Sequence, residues 1–285
     1  MSVLDIQTRL KALGFDPGTL DGEMGPQTEA AIKAFQAANG LTPDGIVGPL
    51  TLAALGLAGP PEPTVWTKLL DISAYQGTID FAQVKAAGYD AVSIKATEGL
   101  GAPSAGMPDK NFQANWQGAK AAGLLRSAYH FFHPADDGAA QAHFFLNTVG
   151  ADLGELVCAL DWEANDDVAA AAQVAAADAW YEIVDAAYAG YVVPPFAYSY
   201  SSFLQALHLP ARYAQRPLWL AGYVQWSQLV IPPPWQKLDL WQNAGDSLTP
   251  SVPGIDDTLK KDFDLYPGTL ADLQAKYGLK PAADV

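Results

Sequence analysis

Apolar positions follow two different regimes along the chain. Through residue 56 they recur at helical spacing: Ile6, Leu10 and Leu13 form one stripe near 4–13, and Ile32 and Phe35 form another between Pro26 and about Asn39. A short third segment runs from Pro49 to Leu55. The pattern DGxxGPxT punctuates this stretch twice, as Asp21-Gly22, Gly25-Pro26, Thr28 and as Asp44-Gly45, Gly48-Pro49, Thr51. Each copy reads as a tight turn followed by a helix start, because proline suits the first helical position and glycine the turn before it. Gly40 is placed to stop the second helix. The pattern therefore predicts a small three-helix domain over 1–56. Residues 57–66, LAGPPEPTVW, carry a proline-rich run with no apolar period, which predicts a semi-rigid linker.

From Lys68 onward strand-like and helix-like segments alternate. Strands are predicted at 68–72, 90–96, 124–132, 156–163, 195–200, 217–222, 237–242 and 261–265. Amphipathic helices are predicted near 80–87, 110–122, 137–148 and 169–189, the last with Val174, Ala177, Trp180, Val184, Ala187 and Tyr191 at helical spacing. The later gaps are short and proline-rich, as in IPPPW at 231–235, and leave little room for full helices. This order predicts an α/β domain over 67–285, a TIM-like (β/α) barrel with reduced helices in its last third. The competing doubly wound sheet is disfavoured, since no glycine-rich phosphate loop follows the first strand.

Composition narrows the function. Half of the 285 residues are apolar and 16% are charged, so a packed core is expected and not disorder. The formal charge of −15 argues against nucleic acid as a partner and against anchoring on anionic lipid by charge alone. No run of about 18 apolar residues is present, so no membrane insertion is expected. The opening MSVLDIQTRLKALGF lacks a basic region followed by an apolar one, so no secretory signal is expected. One cysteine, Cys158 in LVCAL, excludes an intrachain disulfide framework and reads as a core residue.

Barrels of this type carry their functional groups where strands end. Reading each strand to its end collects Asp71, Ser73 and Gln76, then Lys95, Thr97 and Glu98, Tyr129, His130 and Phe132, Asp161 and Glu163, Tyr198 and Tyr200, Trp219 and Tyr223, Trp241 and Gln242, and finally Asp262 with Asp264. Carboxylates supply acid/base chemistry, and flat aromatic faces suit stacking on sugar rings. The sharpest local motif is LDWE at 160–163: residues two apart on a strand share a face, which sets Asp161 and Glu163 roughly 7 Å apart along the chain. A neighbouring carboxylate and a dry pocket both raise a carboxyl pKa, so Glu163 is a candidate proton donor at neutral pH. A lone D-x-E is more often a solvated edge or an ion-pair partner; acids from three strands ringed by aromatics favour the functional reading. His130, His133 and His143 invite a zinc reading, but their spacing is not that of a ligand set. His130 is expected to be a buried, hydrogen-bonded histidine lining the site. No metal and no cofactor is expected.

At these residues the chain resembles the glycoside hydrolase family 25 lysozymes, the Chalaropsis-type muramidases. The matching pieces are DISAYQGTIDF (71–81), IKATEG (94–99), AYHFF (128–132), LDWE (160–163), LWLAGY (218–223), LWQ (240–242) and KDFDLYPGTL (261–270). The resemblance implies hydrolysis of the β-1,4 bond between N-acetylmuramic acid and N-acetylglucosamine, with Glu163 as general acid and Asp161, Asp71 and Asp262 as supporting carboxylates. Gln76, Lys95, Glu98, Tyr129, Phe132, Tyr198, Tyr223 and Trp241 are the expected substrate-binding set. Two positions depart from the family pattern: Trp162 stands where a small residue is usual, and Asp264 where asparagine is usual. Both are expected to alter a subsite or the pH optimum. Two carboxylates sharing one face fit a mechanism in which the substrate's N-acetyl group is the nucleophile; direct attack by water stays open.

The first 56 residues, with AIKAFQAANGL at 31–41, resemble the type 1 peptidoglycan-binding domain. The implied partner is bacterial peptidoglycan, met by a monomer. The pairing of modules resembles a phage endolysin, which implies accumulation in the host cytoplasm before action at the wall. The competing functions are a non-catalytic wall-binding barrel, disfavoured by the intact acid set, and a wall amidase or peptidase, which needs a zinc cage or a Cys-His pair.

Overall fold

A computed structural model of the protein describes residues 3–57, 62–100, 108–245 and 251–280. The chain divides into two compact units, Met1–Glu62 with Val224–Val230, and Pro63–Tyr223 with Ile231–Val285. Residues 58–61 of the expected linker lie outside the described residues.

The first unit contains α1 (Val3–Ala12), α2 (Pro26–Ala38) and α3 (Pro49–Leu55). Ile6, Leu10, Ala31, Ile32, Phe35 and Leu55 form its core. Leu13, expected on the buried stripe of α1, is 39% exposed. The helix has already ended there: Gly14 adopts φ +88° and the Phe15 amide bonds back to the Leu10 carbonyl. Phe15 takes the apolar place instead, edge-on to Phe35 at 5.4 Å. Gly40 ends α2 in the same manner at φ +69°, with the Leu41 amide bonded to the Gln36 carbonyl. A glycine is favoured at both points because a left-handed residue lets the last carbonyls find partners.

The two DGxxGPxT copies share one device that the sequence pattern concealed. A buried glutamine reads each turn. Gln7 Nε2 donates to Asp21 Oδ1, the Glu23 carbonyl and Thr28 Oγ1, while its Oε1 accepts from the Gly22 amide. Gln36 repeats this set on Asp44 Oδ1, the Ile46 carbonyl, Thr51 Oγ1 and the Gly45 amide. The aspartates and threonines of the repeat are thus ligands of an internal amide, and the motif is a folding element.

The second unit is a closed barrel with strand order β1 to β8. The strands are β1 (Thr67–Ile72), β2 (Ala91–Glu98), β3 (Leu125–Phe131), β4 (Ala159–Asp161), β5 (Phe196–Tyr200), β6 (Leu218–Ala221), β7 (Leu240–Ala244) and β8 (Asp262–Tyr266). Helices α4 (Phe81–Ala86), α5 (Phe112–Ala121), α6 (Gly138–Val149) and α7 (Ala170–Ala187) cover the early crossovers. Only a six-residue α8 (Ser201–Ala206) and single 3-10 turns follow before β7. Asp80 and Asp137 cap α4 and α6 through their carboxylates. A final helix, α9 (Leu270–Tyr277), which the hydrophobic pattern did not single out, begins in a Thr269–Asp272 capping box.

β8 departs from the expected scheme. Strands β1 to β7 pair in parallel, but β8 runs antiparallel to both β7 and β1. A parallel pair needs a crossover that returns the chain to the same end; an antiparallel pair does not. No helix is described between Ala244 and Asp262, so the chain re-enters the barrel from the end at which β7 left it. Asp262 is therefore the first residue of its strand and still sits at the mouth where β1 to β7 end. Asp264 lies one layer deeper.

The glutamine device carries a direct consequence. Gln36→Ala strips partners from Asp44, the Gly45 amide, Ile46 and Thr51, and is expected to cost the first unit about 2–3 kcal/mol. Hydrogen exchange of the full chain should then be faster in α1 and α2 and unchanged in the barrel strands. Unchanged exchange in α2 would refute the role given to Gln36.

Candidate active site

The mouth of the barrel holds a cavity of about 650 Å³. Asp71 enters from the end of β1, Lys95 from β2, Tyr129 and Phe131 from β3, Asp161 and Glu163 from β4 and the residues after it. Tyr198 (β5), Tyr223 (after β6), Gln242 (β7) and Asp262 (β8) complete the ring. Four acids from three strands, β1, β4 and the start of β8, thus face one space.

Alternation explains which neighbours are excluded. Asp161 points inward, so Trp162 points out and packs against Phe132, Phe203 and Tyr213, its Nε1 donating to Gln173 Oε1. Trp162 was expected to alter a subsite; its ring lies among the surrounding residues and lines none of the cavity. Phe132 is corrected likewise. It is fully buried against Trp162, beyond the last residue of β3, and Phe131 lines the cavity in its place. Counting by twos from Tyr129 gives Phe131 directly. His130 turns outward as well: Thr97 Oγ1 and Gln141 Oε1 hold its two ring nitrogens at 2.7 and 2.9 Å, and Trp180 stacks on it. Burial pushes its pKa down to about 4, so it stays neutral. It is the buried, hydrogen-bonded residue expected, but it does not line the site.

Two further expected contacts act at a distance from the cavity. Trp241 is buried, donates its Nε1 to the Gly222 carbonyl and packs on Trp66. Glu98 pairs with Lys95 and, at 3.4 Å, with His133, whose Nδ1 lies 3.1 Å from Asp166. Glu98 therefore holds Lys95 in place without lining the cavity itself. Gln76 does line it, and its amide also braces the loop after β1: Oε1 accepts from the Ser73 amide and Nε2 donates to the Lys260 carbonyl. That brace presents Tyr75, 78% exposed on the cavity wall, a residue the strand-end reading missed. Its signal was available, as an aromatic inside the polar run SAYQG. Thr258, Leu259 and Lys260 also line this side and carried no signal at all.

Hydrogen bonds tie the inner groups together. Gln242 Oε1 accepts from the hydroxyls of Tyr198 and Tyr223, both at 2.9 Å, and Tyr129 bonds to Asp71. Gly245 has no room for a side chain, because a Cβ there would come within 2.3 Å of the Tyr223 hydroxyl and 2.6 Å of Asp262 Oδ1. Burial is the first cause that raises the pKa of Asp71, Asp161 and Glu163. Charge adds to it: Asp264, Asp262 and Asp161 push Asp71 up, Glu163 pushes Asp161 up, and Asp262 pushes Glu163 up, while Lys95 opposes the rise at Asp161 and Glu163. Crowded, buried acids retain protons at a pH where free carboxyls have lost them.

A half-open barrel mouth that combines proton-retaining carboxyls with aromatic walls defines a sugar-cleaving hydrolase. The chain belongs to the glycosyl hydrolases family 25, whose model matches residues 70–252; residues 2–55 match a putative peptidoglycan binding domain. Among its relatives, the N,O-diacetylmuramidase of Chalaropsis sp is 31% identical over 189 residues, covering 61% of this chain and 86% of that protein. The bacterial lysozyme of Streptomyces coelicolor superposes with a TM-score of 0.63 at 27% identity, over 75% of this chain and 98% of that one. The CTP1L endolysin superposes with a TM-score of 0.54 at 25% identity, over 70% and 66% of the two chains.

The raised acids fix a pH dependence of stability. Each binds its proton more tightly folded than unfolded, so folding loses stability as pH rises above the ordinary carboxyl range and recovers it below. Asp161→Asn and Glu163→Gln are expected to raise Tm at pH 7, by roughly 2–4 °C for each kcal/mol of repulsion and desolvation relieved. The gain should vanish near pH ~3–4, where unfolded carboxyls are also protonated. A Tm at pH 7 that is unchanged or lower in both variants would contradict the assignment.

Proposed function

We propose that the protein is an N-acetylmuramidase that cuts the β-1,4 bond between N-acetylmuramic acid and N-acetylglucosamine in peptidoglycan, with Glu163 as its general acid. The observation that carries this reading is the pairing of Asp161 and Glu163 at the end of one strand, beneath a sugar-sized cavity walled by Tyr75, Phe131, Tyr198 and Tyr223.

Both acids of the pair have raised proton affinity, and each lies in the other's field or in that of Asp262. They hold protons as a unit. An N-acetyl group bound against Asp161 donates its N–H to that carboxyl and favours its ionised form, which leaves the proton on Glu163. Glu163 then protonates the leaving glycosidic oxygen while the acetamido carbonyl oxygen attacks the anomeric carbon from the opposite face. Water opens the resulting ring, and Glu163 takes the proton back. Asp71 and Asp262 set the charge around the reacting carbon, and Lys95, fixed by Glu98, limits how far the pair's proton affinity rises.

The first unit directs the barrel to its substrate by binding the wall, and the protein serves as an endolysin. It accumulates inside the host and reaches peptidoglycan when a separate membrane protein opens the way. Support for this role comes from the pairing of a wall-binding module with a lysozyme barrel and from the likeness to the CTP1L endolysin.

The test is reducing-sugar release from purified peptidoglycan, with products identified by mass. Wild type is expected to create new muramic-acid reducing ends, and Glu163→Gln to lose at least about 10³-fold in kcat with KM little changed. Release of peptides or free amino groups instead would refute the reading. Proton NMR of the first product is expected to show the retained β anomer; an α anomer would replace the N-acetyl nucleophile by direct water attack.

A further inference from the structure

Asp264 is a buried acid that the mechanism above does not use. It lies two residues into β8, directly opposite Leu69 on β1 and Gln242 on β7, with only 1% of its surface exposed. Because Asp71 pairs with Asp262 in the same register, Asp264 and Asp71 are diagonal neighbours on the inner face, a spacing of about 7–8 Å between backbones that side chains reach across. Asp264 Oδ1 accepts from Trp219 Nε1 at 2.8 Å; Oδ2 has no hydrogen-bond partner among the described residues. Beneath it is a cavity of about 10 Å³, lined by Leu69, Phe196, Trp219, Leu240, Leu273 and Tyr277 among others. That volume sits at the lower limit for one water, and most of its walls are apolar.

Among the described residues this carboxyl has one neutral hydrogen-bond donor, Trp219, and the charge that acts on it is that of Asp262. Its own strand offers Asp262, β1 offers Asp71, and α9 offers the phenol of Tyr277, whose hydroxyl is engaged with Asp239. Above lie Asp161, Tyr129 and Tyr198, and Lys95 acts on Asp161 and Glu163. Two carboxyls on this inner face cannot both ionise without strong repulsion.

We infer that Asp264 is a positioning residue of the active site that acts on Asp71 through its charge, so that only one of the two is ionised while the enzyme turns over. This rests on the reading of Asp71 as a member of the reacting acid cluster. Oδ1 of Asp264 is taken by Trp219 and Oδ2 has no hydrogen-bond partner among the described residues, so the two acids are coupled by charge and no proton passes directly between them. Trp219 acts through Asp264: its N–H stabilises the ionised form of that carboxyl and thereby favours the protonated form of Asp71.

The test is the pH dependence of kcat/KM on purified peptidoglycan for wild type, Asp264→Asn and Trp219→Phe. Asparagine keeps an acceptor for Trp219 and removes the second charge; phenylalanine keeps the ring and removes the donor. Both relieve Asp71 of a negative neighbour, so the acid limb should move to lower pH by ~0.5–1 unit in each. Plateau kcat should stay within about threefold and KM unchanged, a split that loss of packing alone would not give. An acid limb that stays put or moves upward in both variants overturns the inference. Should Asp264→Asn fail to fold, Trp219→Phe decides alone. Activity retained by Glu163→Gln would instead defeat the catalytic reading, so the two failures are distinguishable.

Discussion

The controlling constraint is electrostatic: one barrel mouth must contain Asp71, Asp161, Glu163 and Asp262, with Asp264 buried below them. Carboxylates at this density cannot all be charged, and burial makes each charge more expensive still. The barrel tolerates them because it keeps protons on some and places Lys95 where it moderates Asp161 and Glu163. Stability is given up locally for a proton that is available at neutral pH, which is the usual relation between stability and activity at such sites.

Topology delivers the fifth and fourth acids together. Had β8 run parallel to its neighbours, its first residue would lie at the floor and its last at the mouth. Because it runs the other way, Asp262 reaches the cavity and Asp264 follows it inward. The opposite end is closed by α9, whose Leu273 and Tyr277 help to line the small cavity of the floor. The placement of Asp262 and Asp264, one above the other, is thus a result of that change in strand direction.

Much of this was legible in the residues. Strand and helix order, the three-helix start, and the convergence of Asp71, Asp161 and Glu163 follow from periodicity and from the rule that barrel function sits at strand ends, whereas Asp262 reaches the same mouth from the start of β8. What failed did so for local reasons. Phe132 was placed in the site although counting by twos from Tyr129 gives Phe131, and Leu13 was placed in a core that the turn at Gly14 removes it from. Trp162 looked like a substitution in the site because the motif reads as a string; on a strand its middle residue must face the other way. The direction of β8 could be inferred only from a missing crossover helix, and Gln7 and Gln36 were hidden because the repeat they bind lies 14 and 8 residues further along the chain.

The central claim is that crowding holds a proton on the Asp161–Glu163 pair at neutral pH. The most direct measurement is a carbon-13 NMR titration of the glutamate and aspartate carboxyls of the intact protein, with Glu163→Gln used to assign the Glu163 signal. The account predicts that Glu163 titrates above the ordinary glutamate range, and that Asp161 falls toward normal values once Glu163 is replaced. A Glu163 that titrates near the model-peptide value of about 4.3, with Asp161 indifferent to its removal, would contradict it.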